Sequence, residues 1–158
     1  MSYDLMVFAP KVPPPDRKGF INWYRQQAEW KEGHSYDNPE ISTPELRAWF
    51  LEMITLYPAM NGPFRSDDVD NPKVTDYSVG KSVIYSAFAW SEAETAFNTM
   101  FRLAEKHKVG FFDVSANDGA VWLPDSSGKY VCIHGNGAGK PSGSQVQARK
   151  WWKFWKKK

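Results

Sequence analysis

Gly135-Asn136-Gly137-Ala138-Gly139-Lys140 has the composition of a phosphate-cradling loop, in which backbone N–H groups hold phosphate and a lysine reaches the outer oxygens. The spacing does not fit. Three residues, not four, separate Gly135 from Gly139, and Pro141 stands where a Ser or Thr would hold magnesium and open a helix. His34, Asp37 and Glu40 offer a base and two carboxylates in one loop, but turn formers around them explain their presence as well as any catalytic role does. Asp113, Ser115 and Asp118 lack the context of a nucleophile elbow or a triad. His107 falls in the last turn of a predicted helix, where positive charge suits the dipole, and His134 closes an apolar run. The single cysteine, Cys132, and the lack of a spaced Cys/His set imply neither a metal site nor a cofactor. No motif with a definable mechanism is present, which argues against an enzyme; the catalytic alternative is a small hydrolase or transferase built on the His34 loop.

Binding chemistry is better represented. Residues 58–73 read as a long polar loop carrying Asp67, Asp68 and Asp70, and with Asp37, Glu40 and Asp76 they form a candidate negative patch that steers a basic partner. Tyr36, Phe64 and Tyr77 are the aromatic anchors expected beside it. The competing explanation is a solvated loop whose charges only keep the chain in solution. A second candidate is the C-terminal run Lys150, Trp151, Trp152, Lys153, Phe154, Trp155, flanked by Arg149 and Lys156-Lys157-Lys158. Wound as a helix it segregates rings from ammonium groups, which suits an anionic membrane surface, stacking on single-stranded nucleic acid, an acidic protein groove, the chain's own body or a second copy.

The charge distribution separates these two regions. Residues 1–125 carry 12 Lys+Arg and 18 Asp+Glu, a net −6, whereas residues 126–158 carry 8 basic groups and no acid. At 158 residues, 42% apolar and 24% charged, the chain is sized for one globular domain, with aromatics high at 16%. The expected organisation is one domain over 1–134, a Gly/Ser-rich linker over 135–148 and the basic aromatic tail over 149–158. Met1-Ser2-Tyr3-Asp4 lacks the basic start of a signal peptide and no run of 18 apolar residues occurs, so a cytoplasmic location is expected.

Tyr3-Asp4-Leu5-Met6-Val7-Phe8 is an apolar run stopped by prolines and predicts a strand. Asp16 is placed to cap a helix with Phe20, Trp23, Tyr24, Gln27 and Trp30 in helical spacing, and Thr43-Pro44-Glu45 to start a second through Leu46, Trp49, Phe50, Met53 and Tyr57. Residues 74–90 predict one central strand. Ser91-Glu92-Ala93-Glu94 predicts a capped third helix ending at Gly110. Asn117-Asp118-Gly119 is a hairpin signal between residues 111–114 and 120–123, and 129–134 is a further strand candidate. The order implies an α+β fold with helices packed on one face of a mostly antiparallel sheet, β-α-α-β-α-β-β, and specifically a ferredoxin-like topology.

The stretches Tyr3–Phe8, Leu46-Arg47-Ala48-Trp49-Phe50, Met60-Asn61-Gly62-Pro63, Val74-Thr75-Asp76-Tyr77-Ser78, 83–90 and Val109-Gly110-Phe111-Phe112-Asp113-Val114 together resemble a group of small uncharacterised bacterial proteins that open with a Tyr-Asp-Leu-Met-Val-Phe-like strand. The resemblance spans roughly residues 3–123 and brings no established chemistry with it. The expected function is a non-catalytic cytoplasmic binding protein, specifically an immunity protein that neutralises a cognate bacterial toxin; the alternative is a peripheral membrane or nucleic-acid binding protein acting through the tail.

Overall fold

Strand β1 (Tyr3–Phe8) sends alternate side chains to opposite faces, and both sets are apolar: Leu5 and Val7 on one side, Met6 and Phe8 on the other. Such a strand must be covered twice. The computed structural model describes residues 2–135 and places β1 fourth in a seven-stranded antiparallel sheet of order β2-β3-β4-β1-β5-β6-β7. The other strands are β2 (His34–Tyr36), β3 (Asp76–Gly80), β4 (Val83–Phe88), β5 (Gly110–Phe112), β6 (Val121–Pro124) and β7 (Tyr130–His134). Because β4 and β5 are each antiparallel to β1, they run parallel to one another on either side of it.

One face is covered by α2 (Pro44–Leu56) and α3 (Ala93–His107), which bury Leu46, Trp49, Phe50, Met53, Phe97, Met100, Phe101 and Leu103 against Leu5, Val7, Val79, Ile84, Phe88 and Phe111. Glu52 of α2 holds α3 through Lys106 Nζ at 2.8 Å and His107 Nε2 at 2.7 Å, which draws the Glu52 carboxyl below its ordinary range. His107 thus serves a cross-helix pair. The other face receives α1 (Arg17–Ala28), whose Phe20 and Trp23 pack on Met6, Phe8, Phe112 and Val121.

The α+β class is therefore as expected, but two finer expectations are corrected. Helices lie on both faces, because the two apolar sets of β1 each need a cover. The order is not ferredoxin-like: residues 74–90 form the hairpin β3–β4, turned at Gly80-Lys81-Ser82, and part of the 33–39 loop adds β2 to the edge. Asp16 and Thr43 cap α1 and α2, accepting from Gly19 N and Leu46 N. Ser91 does not cap α3, since Trp90–Glu92 is a 3-10 turn and the helix begins without a side-chain cap. Among the described residues no helix is long and apolar enough to cross a membrane.

Nor does Gly110 end α3. Lys108, at φ 57°, takes that role, and Gly110 begins β5 beneath the Phe8 ring, which occupies the volume a Cβ would need. Gly110→Ala is expected to lower stability by about 1–3 kcal/mol through overpacking. Lys108→Gly, at a left-handed position, is expected to stay within about 1 kcal/mol of the native chain. Urea unfolding midpoints of the two variants check both.

Candidate interaction surface

The acidic loop and the β2 edge meet at one end of the sheet. Ala59 bridges to Arg65 and to Thr75, which folds residues 58–75 back on themselves. Gly62, at φ 78°, lies so close to Asp37 that any side chain there would strike it. Asn61 donates to Asp76 Oδ1 at 3.2 Å. Asp37, Asp76 and the loop are thereby brought together from three parts of the chain.

At this end Tyr36 is 55% exposed, Phe64 40% and Val69 82%, with Met60 also open to solvent. The Phe64 ring stands edge-on to Phe50 at 5.9 Å, so it is seated on the core and not adrift. Asp67, Asp68, Asp70 and Asp76 are exposed and Asp37 half-buried. Arg65 approaches Asp67 at 4.0 Å; among the described residues no ion pair joins Asp37, Asp68, Asp70 or Asp76. Tyr77 is the exception among the sequence candidates. It is 5% exposed, its hydroxyl donates to the Tyr57 carbonyl at 2.8 Å, and its ring packs on Phe50, so it belongs to the core beneath the surface. Lys150, Trp151, Trp152, Lys153, Phe154 and Trp155 lie outside the described residues.

Beside Tyr36 is an aromatic cluster that the sequence did not single out. The rings of Trp30, His34 and Tyr36 lie within 4.4–5.3 Å of one another. Trp30 at φ 53° and Tyr36 at φ 64° both hold left-handed backbone, which is uncommon for bulky side chains and costs on the order of 1–2 kcal/mol each. The turn carrying Trp30 is pinned by a chain of hydrogen bonds: the Gln27 amide accepts from Trp23 Nε1 and donates to Glu32 Oε2, both at 3.2 Å, and Glu32 Oε1 accepts from Ser82 N at 2.8 Å. His34 is therefore one ring of this cluster.

Trp30 also walls a cavity of about 270 Å³, whose floor is Met6, Val83, Tyr85 and Ser78 and whose other wall is Tyr24, Gln27 and Ala28 of α1. The Tyr24 and Tyr85 hydroxyls are hydrogen-bonded, and Tyr85 donates to Asp4 Oδ2 at 2.9 Å. Burial pushes both phenols up, with the Asp4 charge adding to the effect, so both remain neutral. Periodicity alone made Tyr24 and Trp30 core residues; the available signal was Asp4, an acid in an otherwise apolar strand on the same parity as Met6 and Phe8.

No family model, curated protein or solved structure matches this chain. Any functional reading rests on the residues themselves. Among the described residues no group of three or more His, Cys, Asp or Glu is placed to hold a metal ion.

Asp113 follows β5 and is buried. Its Oδ1 accepts from Ala116 N at 3.1 Å, but desolvation, with a smaller push from Asp118, raises its carboxyl to about 7. The folded chain therefore holds this proton more tightly than the unfolded one. Stability attached to Asp113 is complete below about pH 4 and is lost as the pH rises through about 7. Asp113→Asn keeps the acceptor and removes the charge. It is expected to be more stable than the native chain at pH 8 by about 1–3 kcal/mol and to match it near pH 4, as read from urea unfolding across that range.

Proposed function

We propose that this is a non-catalytic protein-binding module whose acidic, aromatic end takes a basic protein partner, and specifically that it is an immunity protein neutralising a cognate bacterial toxin by direct contact. The observation that supports it is the interleaving of exposed Tyr36, Phe64, Met60 and Val69 with the carboxylates of Asp37, Asp68, Asp70 and Asp76, which make no ion pair among the described residues. Rings seated on the core supply contact area at little entropic cost, and the surrounding carboxylates speed encounter with a positive surface and reject a negative one. Stability alone does not call for either feature: the rings leave much of their surface open to water and the like charges repel. The aromatic cluster at Trp30 and Tyr36 extends the same surface toward the open face of the sheet.

The experiment is capture from the native host with the full chain and with an Asp67→Ser, Asp68→Ser, Asp70→Ser variant, washed at low and moderate salt. A stoichiometric basic protein is expected on the native chain, with affinity reduced at least about tenfold in the variant and on raising the salt. A deletion strain is expected to be inhibited by its siblings, and normal growth would remove the immunity role. Equal retention by both forms sinks the acidic surface as the binding site. Recovery of lipid or nucleic acid in place of protein transfers the function to the basic tail.

A further inference from the structure

The sheet register fixes where the chain leaves the fold. His134, the last residue of β7, is paired with Val121 of β6, and the same row continues through Phe112, Met6 and Tyr85 to Ser78 of β3. Every one of these pairings is antiparallel, so five steps across the sheet leave β7 running opposite to β3. The step from His134 to Gly135 therefore points the same way as the step back from Ser78 through Tyr77 to Asp76. Gly135, packed on Ala120, leaves the sheet at the end that carries Asp76 and the 58–75 loop. With strands about 4.8 Å apart, it stands about 24 Å across the sheet from β3. Residues 136–158 continue from that point and lie outside the described residues.

The chemistry of that continuation is the complement of the surface at the same end of the sheet. Residues 149–158 carry six basic groups, four aromatic rings and no acid. The acidic end offers Asp37, Asp68, Asp70 and Asp76, which make no ion pair among the described residues, interleaved with exposed Tyr36, Met60, Phe64 and Val69. We infer that residues 149–158 dock on the acidic end of their own chain, ammonium groups over the carboxylates and rings against the exposed apolar side chains. The covalent chain is long enough. Fourteen residue steps lie between Gly135 and Arg149, and at about 3.4 Å each they reach about 48 Å, twice the distance across the sheet. A joined ligand whose linker spans the gap meets its site at an effective concentration on the order of millimolar, an advantage that a lipid surface, a nucleic acid or a second copy does not share. The inference rests on the acidic end being a receptor for basic ligands, as proposed above; the tail is the ligand held there until a basic partner displaces it.

The test is zero-length cross-linking of the dilute full chain with a carbodiimide, which condenses a carboxylate with an amine only where the two are in contact, followed by peptide mass spectrometry. The expected product is a monomer in which Lys150, Lys153 or the final lysines are joined to Asp68, Asp70 or Asp76. Its yield is expected to fall at least about fivefold between low salt and about 0.5 M salt, where exposed charges are screened. The Asp67→Ser, Asp68→Ser, Asp70→Ser chain is expected to lose the same adducts. A second variant, Lys150→Gln, Lys153→Gln, Lys156→Gln, Lys157→Gln, leaves the described residues untouched and covers the case in which the first fails to fold. Its amide NMR signals are expected to shift from those of the native chain at Tyr36, Asp37, Phe64 and Val69 and not in the core. No tail adducts, adducts spread evenly onto exposed carboxylates elsewhere such as Glu45 and Glu94, or unshifted signals in the second variant overturns the inference. The same residue pairs found only in covalent dimers overturn the docking within one chain and assign the surface to a second copy. A captured basic partner without tail adducts leaves the proposed function standing and removes this inference, whereas tail adducts with no captured partner do the reverse.

Discussion

The double-sided burial of β1 is the constraint on which the rest of the fold depends. Leu5, Val7, Met6 and Phe8 are each at most 1% exposed, and burying side chains of this size contributes roughly 1.5–3 kcal/mol apiece. No arrangement with all helices on one face could bury both sets. Pairing β1 with β4 on one side and β5 on the other also uses the hydrogen-bonding groups along both of its edges, so the strand is fixed in register as well as in depth.

The two covers are unequal, and the inequality creates the surface. On one side α2 and α3 lie together, locked by Glu52 to Lys106 and His107, and the Phe97, Phe101, Phe111 and Trp122 rings fill the space beneath. On the other side a single helix of 12 residues, about 18 Å long, faces a sheet of seven strands that spans about 29 Å. Helix α1 sits over β1, β5 and β6, as the contacts of Phe20, Trp23 and Tyr24 with Phe8, Phe112 and Val121 show. Toward one end β3 and β4 keep an open strip with Asp76, Ser78 and Ala87 in place of large apolar groups, while Val83 and Tyr85 further along β4 join the packing under α1. Trp30 and Tyr36, held in left-handed backbone by the Gln27–Glu32–Ser82 chain and the β2 edge, border that strip.

What the sequence disclosed follows from how locally each feature is encoded. Asp16 and Thr43-Pro44 act within a few residues of themselves, so the two helix starts were legible. The antiparallel pairing of β5 with β6 was legible too, but not its turn: residues 113–120 connect the strands, and Gly119 holds positive φ there while Asp118 does not. The β3–β4 turn was not, because Gly80-Lys81-Ser82 interrupts an apolar alternation that reads equally well as one long strand. Lys108 as the end of α3 was illegible for the opposite reason: glycine is the usual residue there, and Gly110 two positions on offered itself. In the surface, Tyr36, Asp37, Phe64 and the Asp67–Asp70 stretch are conspicuous by composition. Tyr77 looked the same by composition, but strand parity turns it inward onto Phe50 and Tyr57. That Asp4 and Asp76 share one cross-strand row through Ala87 depends on the register of three strands, and register is a property of the assembled sheet.

That distinction bears on why the acidic end exists at all. A fold seeking only stability would answer exposed carboxylates with cations, as Glu29 is answered by Lys31 and as Glu40, which the sequence placed in the negative patch, is answered by Arg47. Around the 58–75 loop the answer is withheld: Arg65 at 4.0 Å from Asp67 is the ion pair there among the described residues, while Asp37, Asp68, Asp70 and Asp76 stand without one. Like charges gathered at one end raise the energy of the folded chain, and two bulky residues in left-handed backbone raise it further. Local rules are broken together, in one region, by charge and by backbone conformation at once. Solubility accounts for scattered charge but not for strained aromatics set beside it, and it is this coincidence of charge and backbone strain that the proposed binding of a basic partner is meant to explain.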